Sequence, residues 1–390
     1  MKIFDTSLLD LPFYTDQHRQ LARDLEAWVD RHQDLPRAHA HLSVTERGRL
    51  YTALLGEHGW LAYALDTSAA TERPDLRSLC LIREAFAYLD DLLDFAFAIQ
   101  GLAASPIAWY GNERQKADVL PAMRSGSQIG TLALSEPACA SNLAAIGLTA
   151  QGSPDNRTIT GLKTWVSNGN IADHHAVLVR TGEGPGALGL SFVHMPSHTH
   201  GLHIDEDIEL IAPRAFARLR FEASPFGDQA IIGQPGMGFR YAMEILNFYR
   251  VTVGAAALGF CRRATQASVA WARTREIAGS RLIQSQMAMD KLANMSVYLD
   301  TSALLVARSA WEFDTGVKEV AAHASMAKLF ATEGASRLAD DAVQLFGAAG
   351  LVTDSVPERI FRQVRSLRIY EGTSEIQKII IAGALARFGA

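Results

Sequence analysis

The first third of the chain carries apolar residues at a helical spacing. From Asp16 to about Ser127, apolar positions recur every three or four residues, as at Leu21 and Leu25. This spacing places them on one face of a helix. The stretch 76–102 is more uniformly apolar and predicts a buried helix. The pattern therefore predicts an N-terminal helical domain, which we assign to residues 1–128.

The pattern changes at Ile129. Short runs of β-favouring residues, such as 176–180 and 188–193, now alternate with turn residues, as at 182–186. Short strands separated in this way are typical of an antiparallel barrel or sandwich and not of βαβ units. We therefore predict a central antiparallel β-barrel-like domain over residues 129–235.

The last third returns to a helical pattern in which small residues recur. Ala324, Ala327, Ala331 and Ala335 follow one another at steps of three or four residues. A face of small residues lets a neighbouring helix approach closely, as in a bundle core. Residues 236–390 are therefore predicted to form a four-helix-type bundle, and the fold class is α+β in the order α, β, α.

Composition narrows the classes of function. The chain is 48% hydrophobic and 20% charged, which is typical of a globular protein. Its net charge of -5 gives no general attraction for nucleic acid or an anionic membrane. No run of eighteen uncharged apolar residues predicts a membrane span. The acidic N-terminal region and three widely spaced cysteines favour a cytoplasmic location. The histidines form no recognisable ligand set, so no metal site is expected.

A carboxylate precedes the last predicted helix, in the segment 370–377. Gly372 permits a backbone conformation that a Cβ would disfavour, and Thr373 is a natural N-cap for the following helix. Glu371 would lie on the loop just before the cap. A positioned carboxylate can remove a weakly acidic C–H proton. An ordinary helix cap with a solvated Glu fits the same residues.

Two segments of the β-domain carry polar and aromatic groups. Ser135 and Ser141 flank a proline turn whose hydroxyl and N–H groups could hold ring edges or phosphate oxygens; a plain strand-to-turn junction fits them too. Trp165 and Ser167 share one face of a predicted strand and could pack a planar cofactor. A buried structural Trp is the commoner explanation of such a residue.

Together these segments resemble the acyl-CoA dehydrogenase family of FAD-dependent flavoproteins. The most specific match is Tyr-Glu-Gly-Thr-Ser-Glu-Ile-Gln at 370–377, supported by 163–169, 344–350 and 357–359. The resemblance runs from about Asp16 to Phe388. It implies that FAD binds between the β-domain and the C-terminal bundle, with neighbouring subunits sharing the site.

The resemblance also implies which residues contact FAD. Positions in the β-domain that match the family's flavin contacts are Leu132, Leu134, Ser135, Ser141, Trp165 and Ser167. A second subunit would contribute Arg275, Gln286, Gln344 and Ala348, and the FAD phosphates and sugar would border Thr373 and Glu375. A guanidinium such as that of Arg275 offers paired donors to phosphate oxygens, although a surface helix charge is the alternative interpretation.

Glu371 matches the family's catalytic base. Some branches place the base in the helix that corresponds to 247–250, but Phe248 and Tyr249 cannot serve, and Arg250 is expected to give structural or electrostatic support. The implied reaction removes an α-proton by Glu371 while the β-hydrogen leaves as a hydride to the flavin. The Glu371 N–H would polarise the thioester carbonyl, and burial should raise the pKa of Glu371.

The sequence departs from the family at several positions. The Gly-rich turn after Glu-Pro reads Ala-Cys-Ala at 138–140, the following Asp is Asn142, and aromatic residues of the family are replaced by Leu132 and Ala278. The segment 211–217 lacks two hydroxyls of the family pattern. We interpret these changes as altered flavin packing and substrate, with FAD retained.

The predicted function is α,β-dehydrogenation of an acyl thioester, with acyl-CoA as substrate and an electron-transfer flavoprotein as acceptor. The predicted assembly is a homotetramer or homodimer. The alternatives are a biosynthetic dehydrogenase or an oxidase that acts on a carrier-protein thioester. From another class, a DNA-binding relative of the fold is disfavoured by the negative charge.

Overall fold

The computed structural model describes residues 2–65, 73–139 and 141–388. Ala140, named above in the turn at 138–140, lies outside the described residues. So do Met1 and residues 389–390, the ends of the first and last predicted domains. The α-helices are α1 (Thr6–Leu9), α2 (Asp16–Arg31), α3 (Leu35–Ala38), α4 (Val44–Glu57), α5 (Ala62–Leu65), α6 (Leu76–Leu89), α7 (Asp91–Tyr110), α8 (Glu113–Arg124), α9 (Gly238–Thr274), α10 (Gln286–Asp314), α11 (Ala321–Phe346), α12 (Val356–Arg365) and α13 (Ser374–Phe388).

The β-strands occupy the middle of the chain and one short hairpin after α9. They are β1 (Gly130–Ala133), β2 (Ala150–Ser153), β3 (Asn156–Ser167), β4 (His174–Arg180), β5 (Leu190–Pro196), β6 (Leu202–Asp207), β7 (Phe216–Phe226), β8 (Ile231–Ile232), β9 (Glu276–Ile277) and β10 (Ser280–Arg281). The order of helices, then strands, then helices confirms the predicted α+β class.

The chain divides into two compact units. One unit, which we call the β-unit, comprises His39–Pro74 and Phe95–Leu246. It contains two four-stranded sheets, with strand orders β1-β4-β5-β8 and β2-β3-β7-β6. All pairings in these sheets are antiparallel except that of β1 with β4.

Neither sheet closes into a barrel over the described residues, so the barrel-like prediction is wrong. Each sheet has only four strands, and each has a short strand at one edge: β8 has two residues and β2 has four. So few strands cannot curl round to pair their own edges. The strands at the centre of the first sheet are apolar and almost fully buried, as in Ala176 to Val179 of β4.

The other unit, which we call the helical unit, comprises Met1–Ala38, Asp75–Asp94 and Asn247–Ala390. Its core contains the alanine face predicted from the sequence, because Ala324, Ala327, Ala331 and Ala335 of α11 are all 0% exposed. Gly334 serves the same packing: a Cβ there would lie 2.1 Å from Cε2 of Tyr298 on α10. The small residues therefore set how closely α10 and α11 pack.

Helix α7 is long and apolar enough to cross a membrane by length and composition alone. In the structure, 94% of its most apolar stretch is buried inside the protein. Such burial is typical of a core helix. Among the described residues, α7 alone passes this test.

Candidate active site

The loop before α13 has an unusual backbone. Glu371 has φ 53° and Gly372 has φ 91°, so two consecutive residues adopt the left-handed region. Glycine enters this region freely, but a residue with a Cβ loses about 1–2 kcal/mol there. Thr373 caps α13 as the sequence predicts, since its Oγ1 accepts a hydrogen bond from the Ile376 N–H at 3.4 Å.

Side chains from three helices hold this loop through its carbonyl oxygens. The Glu371 carbonyl accepts hydrogen bonds from Arg250 Nε at 3.5 Å and from Gln377 Nε2 at 3.3 Å. The Gly372 carbonyl accepts from Lys328 Nζ and from Gln377 Nε2, each at 2.8 Å. The helical unit therefore holds the two peptide groups that follow the Glu371 side chain, those between residues 371 and 372 and between residues 372 and 373.

One oxygen of the Glu371 carboxyl group is shielded from solvent. Its Oε2 is buried and makes no hydrogen bond with any described residue, so the interpretation as a solvated helix-cap Glu does not hold. Burial raises the pKa of Glu371, although the cations of Arg83, Arg250 and Lys328 oppose this effect, while Asp94 adds to it. A buried carboxyl group with a raised pKa and no partner suits a general base.

A buried ion pair lies among the charges that influence Glu371. Arg83 Nε and Nη2 donate to the two carboxylate oxygens of Asp94 at 2.8 Å and 2.7 Å, and Arg83 Nη1 donates to Thr252 Oγ1 at 2.9 Å. The two charged side chains are 3% and 2% exposed. This pair was not predicted from the sequence; the available signal was the presence of six charged residues within the otherwise apolar stretch 76–102.

In the β-unit, the predicted flavin contacts gather where β1 ends beside β3. Leu132 lies in β1, and Leu134 and Ser135 follow it. The Ser135 carbonyl accepts a hydrogen bond from the Thr164 N–H at 2.9 Å. The Ser167 carbonyl accepts one from Thr131 Oγ1 at 2.5 Å. These bonds join β1 and its following loop to β3.

Trp165 is exposed and not a buried structural residue. It is 60% exposed, has φ 57°, and lies where the pairing of β3 with β7 shifts register between Lys163 and Val166. A β-bulge of this kind redirects a side chain away from the sheet surface. An exposed indole held by a strained backbone offers a flat apolar face to a ligand. Ser141, the last predicted contact in this unit, is also exposed.

A buried lysine supports this part of the β-unit and was not identified from the sequence. Lys163 is 0% exposed, and its Nζ donates to the Leu134 carbonyl at 2.9 Å and to Glu136 Oε1 at 2.8 Å. Glu136 in turn accepts from the N–H groups of Gly147 and Leu148. Burial lowers the pKa of Lys163 to about 8, against the opposing effect of the Glu136 carboxylate.

The remaining predicted contacts lie on the surface of the helical unit. Arg275, Gln286, Gln344, Ala348 and Glu375 are exposed, and Thr373 is half-buried. The Arg275 side chain makes no hydrogen bond or ion pair with a described residue.

Aromatic packing brings some of these surface positions to one end of the unit. Trp271, one turn before Arg275, stacks on Phe346 with ring centroids 4.8 Å apart. Phe346 lies between Gln344 and Ala348 in the sequence. Within the described residues, no group of three potential ligands could hold a metal ion.

Comparison with known proteins identifies the family. Three family models match the chain: Acyl-CoA dehydrogenase, N-terminal domain at residues 15–127, middle domain at 131–223 and C-terminal domain at 236–386. The human short-chain specific acyl-CoA dehydrogenase, mitochondrial, is 35% identical over 288 residues, which are 73% of this chain and 70% of the relative. The probable acyl-CoA dehydrogenase fadE25 of Mycobacterium leprae is 28% identical over 385 residues, 97% of this chain and 98% of the relative.

A solved structure agrees with these matches. The acyl-CoA dehydrogenase from Geobacillus kaustophilus superimposes with a TM-score of 0.86 at 27% identity, covering 96% of this chain and 99% of that one. The chain therefore belongs to the acyl-CoA dehydrogenase family, and it is an FAD-dependent oxidoreductase that acts on CH–CH donors.

Proposed function

We propose that this protein catalyses α,β-dehydrogenation of an acyl-CoA, with Glu371 as the base that removes the α-proton. The observation that carries the proposal is the Glu371 carboxyl group. Its Oε2 is buried without a partner, and its loop is held in a left-handed conformation by bonds to backbone carbonyls. A carboxylate oxygen that makes no hydrogen bond to a neighbouring group is free to accept a proton from a substrate.

The backbone at the same residue can supply an electrophile. The Glu371 N–H donates no hydrogen bond to any described residue. An N–H group aimed at the thioester carbonyl would stabilise the negative charge that develops when the α-proton leaves. Glu371 would then provide both the base, through its carboxylate, and a hydrogen-bond donor for the enolate-like oxygen, through its N–H. Its fixed backbone would align these two groups.

Features of both units fit FAD. The exposed indole of Trp165 and the hydroxyls of Ser135 and Ser167 suit a flat ring with polar edges, and Leu132, Leu134 and Ser141 border the same segments. The exposed guanidinium of Arg275 suits a diphosphate. When bound, FAD supplies the acceptor for the hydride that leaves the β-carbon.

The electron acceptor, the location and the assembly are proposed from membership of the family and from exposed residues. We propose an electron-transfer flavoprotein as the electron acceptor and a cytoplasmic location. We also propose a homotetramer or homodimer, in which Arg275, Gln286, Gln344 and Ala348 meet the FAD of a neighbouring subunit. Large exposed apolar side chains of the helical unit, such as Met287, Val297, Ile379 and Leu385, support association, because covering exposed apolar side chains with a partner is favourable.

Anaerobic titration of the FAD-loaded protein with thioesters tests the function. We expect acyl-CoA esters to bleach the visible absorbance of the flavin, because dehydrogenation reduces it. Bleaching only by carrier-protein thioesters would replace acyl-CoA by the carrier-linked alternative, and rapid reoxidation in air with release of peroxide would indicate an oxidase. A protein that takes up no FAD, or is bleached by neither class, would refute the proposal.

Arg275→Ala should weaken FAD binding by about tenfold to a hundredfold, because charge-assisted hydrogen bonds to phosphate contribute about 1.5–3 kcal/mol. Equilibrium dialysis of apoprotein against FAD measures the change. Arg273→Ala is the matched control, since Arg273 is an exposed arginine in the last turn of α9, two residues before Arg275. Equal affinities of the two variants would argue against a diphosphate contact at Arg275.

A further inference from the structure

Lys328 is a buried cation in the middle of α11. The residue is 0% exposed, and its Nζ donates to the Gly372 carbonyl at 2.8 Å. It makes no ion pair within the described part of the chain. Burying an ammonium group without a carboxylate contact is costly, and burial lowers the pKa of Lys328 to about 8. A lysine in such a buried position indicates a role that a neutral residue would not fill.

The hydrogen bond of Lys328 acts on the peptide between Gly372 and Thr373, one residue after Glu371. Lys328 Nζ and Gln377 Nε2 both donate to the Gly372 carbonyl, and Gln377 also donates to the Glu371 carbonyl. Together they oppose relaxation of the left-handed conformations at Glu371 and Gly372. Without Lys328, the peptide between Gly372 and Thr373 would lose one of its two donors and could rotate, and the Glu371 carboxyl group would move with it.

Lys328 is also one of three cations that act on the Glu371 carboxylate. The charged groups that influence Glu371 are Arg83 on α6, Asp94 on α7, Arg250 on α9 and Lys328 on α11. Arg83 is paired with Asp94 by two hydrogen bonds, and it is still the cation that acts most strongly on Glu371, ahead of Arg250 and Lys328. All three cations favour the ionised carboxylate, and Lys328 also donates to the Gly372 carbonyl at 2.8 Å.

Lys328 is in turn surrounded by several charges. Glu371, Glu333 and Glu375 favour its charged form, and Arg250 disfavours it. Arg250 donates to the neutral Asn247 Oδ1 at 2.7 Å, so it too lacks a carboxylate partner among the described contacts.

We propose that Lys328 is a positioning residue for the base: its hydrogen bond to the Gly372 carbonyl fixes the Glu371-Gly372 loop, and its positive charge favours the carboxylate form of Glu371. This inference rests on the proposed function of Glu371. It extends that function to a residue of helix α11, 43 positions earlier in the chain than Glu371.

The test measures the pH profile of kcat/KM for Lys328→Met. Removing the cation raises the pKa of Glu371, and the base acts when deprotonated, so the acid limb of the profile should move to higher pH. The value of kcat should fall about tenfold to a hundredfold because the base is misaligned, while KM stays within about threefold. Thr332→Val, which removes a buried hydroxyl one turn along α11, should leave the acid limb in place.

Two further variants separate the contributions of charge and hydrogen bond. Lys328→Arg keeps the charge, so its acid limb should remain at the position of the unmodified protein. Lys328→Gln keeps a donor without charge and should show the shifted limb even if Lys328→Met fails to bind FAD. An unshifted limb in FAD-loaded Lys328→Met or Lys328→Gln would overturn the inference.

Glu371→Gln in the same assay distinguishes failure of the role proposed for Lys328 from failure of the function proposed for Glu371. If Glu371→Gln is inactive while Lys328→Met matches the unmodified protein, only the role of Lys328 is refuted. If Glu371→Gln keeps full activity, the assigned base is refuted and the role of Lys328 falls with it.

Discussion

Glu371→Gln should retain FAD but lose bleaching of the flavin by an acyl-CoA that bleaches the unmodified protein. An amide has nearly the same size as the carboxyl group but cannot accept the α-proton, and loss of a general base lowers rates by about 10²–10⁴-fold. The loop should persist, because Arg250, Lys328 and Gln377 hold it through backbone carbonyls. Anaerobic stopped-flow absorbance of the FAD-loaded variant measures the rate.

The stability of this variant shows whether the loss is chemical. Burial raises the pKa of Glu371 in the folded state, so at neutral pH the ionised carboxylate destabilises the fold relative to the unfolded chain. This destabilisation grows as the pH rises above the unfolded-state pKa and vanishes below it. The Gln variant should therefore unfold at no lower denaturant concentration than the unmodified protein at pH 7.

A matched carboxylate-to-amide change provides the control. Asp340→Asn alters an exposed residue of α11 and should leave both bleaching and stability unchanged. Rapid bleaching of the Glu371→Gln variant would remove Glu371 as the base. A large drop in its stability would instead assign the carboxyl group a structural role.

The sequence predicted those parts of the fold in which a repeated pattern of residues determines how helices or strands pack. The alanines spaced three or four residues apart along α11 determine which face of this helix is buried. Their small side chains restrict how the neighbouring helix can pack against that face. Alternating runs with turn residues likewise predicted the strands. They could not predict whether the sheets close, because closure depends on how many strands pair and how long the edge strands are.

The sequence also could not establish the surroundings of Trp165. A lone Trp in a strand is most often buried, yet here a register shift and a left-handed backbone expose the indole. Both neighbours of Trp165 are buried, since Thr164 is 6% and Val166 is 1% exposed. The bulge arises from pairing with β7, which local sequence does not encode.

The buried charged residues were not predicted, because a charged residue is by itself expected to lie on the protein surface. Lys328 carried a signal that could have found it: it lies four residues after Ala324 and three before Ala331, on the face that the alanines bury. A charge on a buried face requires a partner. Which partner it finds, here the Gly372 carbonyl, depends on contacts far along the chain.

Arg83→Met should destabilise the folded protein by about 3–5 kcal/mol, because it leaves Asp94 as a buried charge without compensation. The side chains of this pair are 3% and 2% exposed, and three hydrogen bonds of 2.7–2.9 Å satisfy Arg83. Chemical denaturation of the FAD-loaded variant, followed by circular dichroism, measures the loss. Arg114→Met, in an exposed pair with Asp118 at 3.5 Å, should leave the midpoint unchanged.

The double variant Arg83→Met with Asp94→Leu identifies the cause. If the loss comes from the uncompensated carboxylate, replacing both partners by apolar residues should recover most of the stability, since such replacements of buried pairs are often neutral or better. If the loss comes from misfitting side chains, the double variant should be at least as unstable as the single one. Because Arg83 and Asp94 act on Glu371 with opposite signs, removing both should also shift the acid limb of the activity profile less than removing Arg83 alone.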